Sequence, residues 1–180
     1  LKSLEATKSI FLVTNGQEPD MIQKLQDEDA LPTQLYLSTN AADYESFIKI
    51  NKPKYDDSWE RWNRTLDMLK NLDTRTVLRI TLIRDYNDQK DMIPAFADMF
   101  RKASPHFIEI KSYMHIGRST NRLEHENMLE MHEVKNFSEE IAKQSKIFSI
   151  MDESLVSRIS ILQNNERFID RWIPTYSNTN

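Results

Sequence analysis

The chain has 180 residues and a formal net charge of −4. That is long enough for one domain with a substantial core, and it leaves no overall positive field to attract nucleic acid. No apolar run approaches the length of a membrane span, and residues 1–9 lack the apolar core of a signal peptide, so we expect a cytoplasmic protein with no membrane contact. The absence of cysteine excludes disulfides and cysteine-bound metal.

Apolar runs that end in polar residues alternate with helical patterns, which is typical of repeated βα units. In chain order, the patterns predict strand 9–15, helix 19–28, strand 34–40, a short helix after Asp43, a helix after Asp57, strand 76–84, a helix from Asn87 interrupted at Pro94, strand 107–113, helix 129–145, and short strands at 147–151 and 157–162. In such units the chemistry lies at the carboxyl ends of the strands. The long polar stretch from His115 to Asn127 is therefore a candidate functional loop.

Three of the predicted strands carry one purely apolar face and one polar face, because side chains alternate along a strand. Tyr36, Ser38 and Asn40 share a face of the second strand. The polar faces of the next two strands consist of Val77, Arg79, Thr81 and Ile83, and of Phe107, Glu109, Lys111 and Tyr113.

Two interpretations of the polar faces remain open on pattern alone. An antiparallel sheet commonly leaves one face in solvent. Alternatively, strand–helix alternation favours parallel strands, whose faces are normally both covered, and the polar residues then line the interior of a barrel or half-barrel. Charged residues in such an interior have to pair with each other or with a ligand.

Six segments of the chain, taken in order, resemble one enzyme family. They read FLVTNG at 11–16, LPTQLYLS at 31–38, TRTVLRITLIRDYN at 74–87, FIEIKSYM at 107–114, MHEVKNF at 131–137, and MDES at 151–154 followed by Ser157 and Arg158. This order is similar to that of the archaeal branch of the tRNA 4-demethylwyosine synthases. These are radical S-adenosylmethionine enzymes, and the resemblance covers about residues 9–163.

The resemblance implies an α/β fold that forms the C-terminal portion of a (β/α)6 partial barrel, with parallel strands and outer helices. It also implies a carbon–carbon lyase of wybutosine biosynthesis, which joins N1-methylguanosine in phenylalanine tRNA to pyruvate to form 4-demethylwyosine. The implied cofactors are S-adenosylmethionine and a [4Fe–4S] cluster held by cysteines.

The chain departs from this family in containing no cysteine, so the ligands of the cluster are absent. We expect a fragment that starts at the third or fourth barrel strand and is inactive alone. It is expected to be a monomer, or to be completed by a missing N-terminal half. Residues 1–163 are expected to form the barrel portion and 164–180 a partly frayed extension.

The resemblance also implies site residues, although it assigns no catalytic residue to this chain. Thr14, Asn15, Ser38, Asn40, Arg79 and Thr81 are the expected cofactor-binding residues. Arg79 is suited to a carboxylate because a guanidinium binds it in a two-pronged geometry, but an internal ion pair with Glu109 is the rival role.

The expected tRNA-binding residues are Lys111, Tyr113, Arg118 and Arg122. All four lie in the segment 111–122, which contains no acidic residue. Its cations are suited to binding RNA phosphates, and Tyr113 is suited to stacking on a base. A solvated loop is the alternative role for this segment.

The four histidines have no spacing that predicts a metal site, so no metal is expected. Two rival functions remain at this stage. One is a different radical S-adenosylmethionine enzyme built on the same half-barrel, because fold does not fix function. The other is a non-catalytic RNA-binding or scaffold protein.

Overall fold

A computed structural model describes residues 7–173, in which six strands form one sheet. The strands are β1 Phe11–Thr14, β2 Gln34–Ser38, β3 Arg75–Leu82, β4 Phe107–Ser112, β5 Phe148–Ser154 and β6 Ile159–Asn164. Their order across the sheet is β1-β2-β3-β4-β6-β5. Neighbours from β1 to β4 are parallel, whereas β6 is antiparallel to both β4 and β5.

Helices connect the strands. They are α1 Pro19–Asp27, α2 Tyr44–Asn51, α3 Ser58–Met68, α4 Ile93–Ala103 and α5 Met131–Ser145. Short 3-10 turns occur at Leu69–Asn71, Lys90–Met92, Gly117–Asn121 and His125–Asn127. Asp43 caps α2 as predicted, because its carboxylate accepts a hydrogen bond from the backbone N–H of Ser46 at 2.9 Å. The Asp57 carboxylate makes no such cap and instead pairs with Arg61.

The main core lies between the apolar face of the sheet and the helices. Its fully buried side chains include Leu35, Leu37, Leu78, Ile80, Leu82, Ile108 and Ile110 from the strands, and Trp62, Phe96 and Phe100 from the helices. The opposite face is only partly covered, and Phe11 and Val13 on β1 are about half exposed (51% and 52%). On β3, Leu78, Ile80 and Leu82 are fully buried, whereas Arg79 and Thr81 between them are only partly buried. This alternation confirms the division into an apolar and a polar face.

Two local features differ from the sequence expectation. The helix expected from Asn87 begins at Ile93, because the Asn87 side chain is used to close the turn after β3. The last two strands form an antiparallel pair, because the turn of residues 155–158 is too short for the crossover that parallel strands need.

Residues after β6 lie against the amino ends of the strands. Arg75 donates to the backbone carbonyls of Asp170 at 2.7 Å and Arg171 at 3.0 Å, and Gln163 donates to that of Ile169 at 2.7 Å. The expected fraying of the final residues falls on 174–180, outside the described residues. In residues 7–173, no helix combines the length and the apolar character that crossing a bilayer requires.

Candidate functional site at the strand ends

A cavity of about 370 Å³ opens at the carboxyl ends of β1 and β2. Its lining brings together three of the predicted cofactor residues, Asn15, Ser38 and Asn40. The connection between α2 and α3 supplies other walls, including Lys52 and Lys54. The edge of the sheet where polar side chains collect is therefore also the edge that has space for a ligand.

A larger cavity of about 600 Å³ lies between α4 and α5. Its lining includes Asn136, Phe137 and Glu140 but none of the predicted site residues. Because parallel α/β sheets bind ligands at the carboxyl ends of their strands, we take the smaller cavity as the candidate site.

The turn after β1 is closed by its own polar side chains. The Thr14 hydroxyl accepts a hydrogen bond from the backbone N–H of Gly16 at 3.0 Å. The side-chain oxygen of Asn15 accepts one from the backbone N–H of Gln17 at 3.2 Å. Gly16 has a φ of +75°, a conformation that other residues rarely adopt. Thr14 therefore serves the turn, while the amide NH2 of Asn15 remains available to the cavity.

Helix α3 holds this turn and the end of β2 in place. The Thr65 hydroxyl donates to the Gly16 carbonyl at 2.8 Å, and the Trp62 indole N–H donates to the Ser38 carbonyl at 3.1 Å. Both side chains are buried, with exposures of 0% and 2%. The buried face of α3 thus also fixes the two strand ends at the cavity.

Asn40, Thr81 and Asn87 form a hydrogen-bonded junction between the ends of β2 and β3. The Asn40 side-chain oxygen accepts from the Thr81 N–H at 3.0 Å. Asn87 is fully buried, accepts from the Ile83 N–H at 2.7 Å, and donates to the carbonyls of Asn40 and Thr81, each at 2.9 Å. A backbone N–H can only donate, so the Asn40 oxygen has to face Thr81 and its NH2 group is the end left for a ligand.

Arg79 and Glu109 are directly opposite each other on β3 and β4. Arg79 Nε lies 2.7 Å from Glu109 Oε1, and one Nη donates to Oε2 at 3.3 Å. The guanidinium also lies 4.3 Å from the centre of the Tyr36 ring. The rival role of Arg79, an internal ion pair, is therefore present. Within the described part of the chain, its other Nη makes no hydrogen bond, which leaves one donor edge for a ligand.

Tyr36 stays protonated beside this ion pair. Burial raises the pKa of its hydroxyl above the usual 10.0, and the nearby Glu109 charge raises it further. Gln34 donates a hydrogen bond to the Tyr36 oxygen at 2.5 Å. The ring therefore contributes a neutral polar group and an aromatic face to the open side of the sheet.

The predicted tRNA residues all lie on β4 or in the loop that follows it. Lys111 is opposite Thr81 on the open face, and Arg118 is exposed in the loop after β4. Tyr113 is only 5% exposed, since it packs with Ile83 and Leu123, so stacking on a base would require that loop to move. In residues 7–173, no group of three or more potential metal ligands is arranged to hold an ion.

Sequence reasoning did not identify Trp62, Thr65 or Asn87 as supports of the site, or Lys52 and Lys54 as part of its lining. The supports carry no signal, because a buried threonine or asparagine has the same pattern as an ordinary helix or loop residue. One feature of the sequence could have indicated the two lysines: they flank Pro53 in the short connection that follows β2 and α2.

The fold is shared with part of a larger enzyme of known structure. A solved structure of Escherichia coli coproporphyrinogen III oxidase, described as a radical SAM enzyme, aligns with a TM-score of 0.51. The alignment covers 87% of this chain and 35% of that one at 12% sequence identity, so it shows the fold alone.

A particular family within that fold matches in sequence as well. Residues 102–164 match the family model for wyosine base formation. The tRNA 4-demethylwyosine synthase of Methanocaldococcus jannaschii is 41% identical over 162 residues, 89% of this chain and 48% of that enzyme. A solved structure described as TYW1 with a lysine-pyruvate adduct bound aligns with a TM-score of 0.77 at 40% identity, over 88% of this chain and 48% of that one.

Over the matched residues, the chain is therefore similar in sequence and in fold to the tRNA 4-demethylwyosine synthases, as its motifs predicted. It spans about half the length of the archaeal relatives it matches. Plant and vertebrate relatives match too, so the matches extend beyond the archaeal branch that the motifs suggested.

Proposed function

We propose that this chain is part of a tRNA 4-demethylwyosine synthase, a radical S-adenosylmethionine lyase that condenses N1-methylguanosine in phenylalanine tRNA with pyruvate. The observation that carries the proposal is the sequence match to individual tRNA 4-demethylwyosine synthases over nearly the whole chain. The collection of polar residues at the strand-end cavity agrees with a ligand site in that position.

The two implied cofactors fit this chain differently. The described chain has no cysteine, so the residues present do not fit a [4Fe–4S] cluster, and its ligands have to come from elsewhere in the parent protein. S-adenosylmethionine does fit, because the cavity offers the free NH2 groups of Asn15 and Asn40 and the hydroxyl of Ser38. When bound, this cofactor supplies a 5′-deoxyadenosyl radical.

The remaining predicted residues have supporting roles in this proposal. Arg79 presents its free Nη edge to the carboxylate of the cofactor. The Thr14 hydroxyl holds the backbone of the turn after β1, and the backbone N–H of Thr81 holds the side chain of Asn40. Lys111, Arg118 and Arg122 contact tRNA phosphates, and Tyr113 meets the substrate base after the loop moves. Pyruvate binds in the part of the parent that this chain lacks.

Residues 1–163 would then be the barrel portion and 164–180 an extension. The chain would act in the cytoplasm, as a monomer or completed by an N-terminal half. One second candidate has specific support: a chain without cysteine suits non-catalytic RNA binding, which needs no cluster.

The test is calorimetric titration of S-adenosylmethionine into the chain and its Arg79→Ala variant. Losing a charged hydrogen bond costs about 1.5–3 kcal/mol, so the affinity should fall roughly 10- to 100-fold. Arg101→Ala, which removes an exposed arginine paired with Asp98 on α4, is the matched control and should bind normally.

Arg79→Ala leaves Glu109 unpaired and can impair folding. A double variant, Arg79→Gln with Glu109→Gln, removes both charges and keeps hydrogen-bonding groups, and it should show the same loss of affinity. Unchanged affinity in the double variant would sink the assignment of Arg79. No binding by the unaltered chain would contradict a cofactor site formed by these residues alone.

A further inference from the structure

Most cations in the described chain are already engaged. The ion-paired ones are Lys24, Arg61, Arg64, Arg79, Arg84, Arg101, Lys102, Lys135, Lys143, Arg158 and Arg171. Arg75 and Arg167 donate instead to backbone carbonyls. Free cations are therefore a minority, and where they lie carries information.

The described cations that lack an ion pair are concentrated at one end of the sheet. Lys49, Lys52, Lys54, Lys111, Arg118 and Arg122 all lie near the carboxyl ends of the strands or in the connections that follow them. Lys90 lies in the connection after β3 but lines the separate cavity between α4 and α5. Lys8, Lys70 and Lys146 lie elsewhere, ahead of the amino ends of β1, β3 and β5. Even Glu45, one helical turn before Lys49 and well placed by spacing, forms no ion pair with it in the described chain.

Two neighbouring cavities share these cations. Lys52 and Lys54 line the strand-end cavity together with Asn15 and Asn40. A second cavity of about 70 Å³ is lined by Lys49, Lys52 and Arg122. Lys52 therefore lines both cavities. The row of cations extends from Lys54 across the end of α2 to Arg122 in the loop after β4.

The segment that presents the lysines is held in a defined shape. Lys52 ends α2 in a left-handed conformation with a φ of 45°, and Pro53 fixes the next step of the chain. The Ser58 hydroxyl donates to the Tyr55 carbonyl at 2.6 Å and accepts from the Tyr55 N–H at 3.2 Å. Lys49 lies over the Tyr86 ring, with its amine 4.9 Å from the ring centre. Such prior order lowers the entropic cost of binding.

Clustered cations of like charge repel one another, and an anion that lies against them relieves this repulsion. A small anion would be held by two or three converging groups. These cations instead form a strip that spans separate elements and two cavities, which suits a chain of regularly spaced negative charges. The chain has a net charge of −4 and therefore no overall positive field, so this strip provides a local positive surface instead.

We propose that Lys49, Lys52, Lys54 and Arg122 form a contact surface for the sugar–phosphate backbone of RNA. The choice of RNA as the polyanion rests on the proposed function. The surface adds the end of α2 and the α2–α3 connection to the predicted loop, so the RNA backbone would cross both sides of the strand-end cavity. Its role is to position the RNA over that cavity and not to read its sequence.

The test measures binding of a fluorescently labelled, unmodified tRNA-Phe transcript by anisotropy over a series of salt concentrations. The variant replaces Lys49, Lys52 and Lys54 by Gln. The control replaces Lys8, Lys70 and Lys146 by Gln. It changes the net charge equally, uses exposed lysines that have no ion pair in the described chain, and matches the left-handed Lys52 with the left-handed Lys146.

Each lost phosphate contact lowers the slope of log affinity against log salt by about 0.7–0.9. The slope should therefore fall by roughly two to three units for the first triple variant and stay near that of the unaltered chain for the control. Equal losses in both variants would mean that only total charge matters, and would overturn the proposed surface. So would an unchanged slope in the first variant, or the absence of binding by the unaltered chain at low salt.

A parallel titration with S-adenosylmethionine separates this proposal from the proposed function. Lysine-dependent RNA binding without cofactor binding would leave the surface standing and remove the cofactor site. Cofactor binding without lysine-dependent RNA binding would do the reverse. Circular dichroism of both triple variants checks that they remain folded.

Discussion

Gly16 is the position where a single methyl group should be most costly. Its φ of +75° is unfavourable for any residue with a Cβ atom, which adds roughly 1–2 kcal/mol to the folded state. A Cβ there would lie 2.7 Å from Leu37 Cδ1 and 3.2 Å from Trp62 Cδ1. Both neighbours are buried, with 0% and 2% exposure, so they cannot swing away into solvent.

Overpacking of this kind costs about 1–3 kcal/mol. Gly16→Ala should therefore lower the free energy of unfolding by about 2–5 kcal/mol, the sum of the two contributions. Gly117→Ala is the matched control, since Gly117 has a φ of +65° but nothing within 4 Å of an added Cβ. It carries the conformational cost alone, about 1–2 kcal/mol.

Urea unfolding followed by tryptophan fluorescence measures both variants. With a slope near 2 kcal/mol per molar urea, the two midpoints should differ by roughly 0.5–1.5 M. If Gly16→Ala were no less stable than Gly117→Ala, the contacts of α3 with the turn after β1 would not constrain it. The account of how that turn is held at the cavity would then be wrong.

Two further variants test other parts of the fold. Burial, with help from Arg167 and Arg75, lowers the pKa of His106 from 6.5 to about 4, so the unfolded chain gains a proton first and stability should fall as the pH drops from about 6.5 to 4. The full shift corresponds to about 3 kcal/mol, which we reduce to roughly 1–2 kcal/mol because the ring is only partly buried. His106→Asn should abolish that fall in urea unfolding at a series of pH values, and a parallel decline in both proteins would point to other groups. Asn87→Ala should cost about 2–4 kcal/mol by leaving buried backbone groups unpaired, and should also weaken binding of S-adenosylmethionine, whereas the exposed Asn136→Ala should do neither.

Strand–helix alternation and period-two patterning predicted β1 to β4 and their polar face, because these features depend on local residue order. The same reasoning placed Arg79 and Glu109 on one face, and the register made them direct neighbours. The antiparallel direction of β5 and β6 could have been predicted from the short connection between the two expected strands, since a parallel pair needs a crossover of about a dozen residues or more. The interruption expected at Pro94 coincides with the start of α4 at Ile93. The α-helix expected from Asn87 does not cover residues 87–92, because Asn87, a good capping residue, bonds across the turn instead.

The site could be predicted only where its residues follow strands. Asn15, Ser38 and Asn40 were predicted as cofactor-binding residues because strand ends are recognisable in sequence. The structure brings them to one cavity, and their cofactor role stays a prediction. Lys52 and Lys54 reach the same cavity from a connection of irregular structure, where no periodicity reports on position. Long-range hydrogen bonds such as that from Thr65 to Gly16, 49 residues apart, leave no trace in a single sequence.

The antiparallel placement of β6 also has a consequence for the order in which the chain folds. Each parallel pair requires an intervening helix to be in place, whereas β5 and β6 are separated by one short turn and can pair locally. On the ribosome, however, that hairpin emerges after β4. The outer edge of β4 therefore has no permanent partner until the hairpin arrives, and during that interval the nascent chain is open to pairing with the wrong strand.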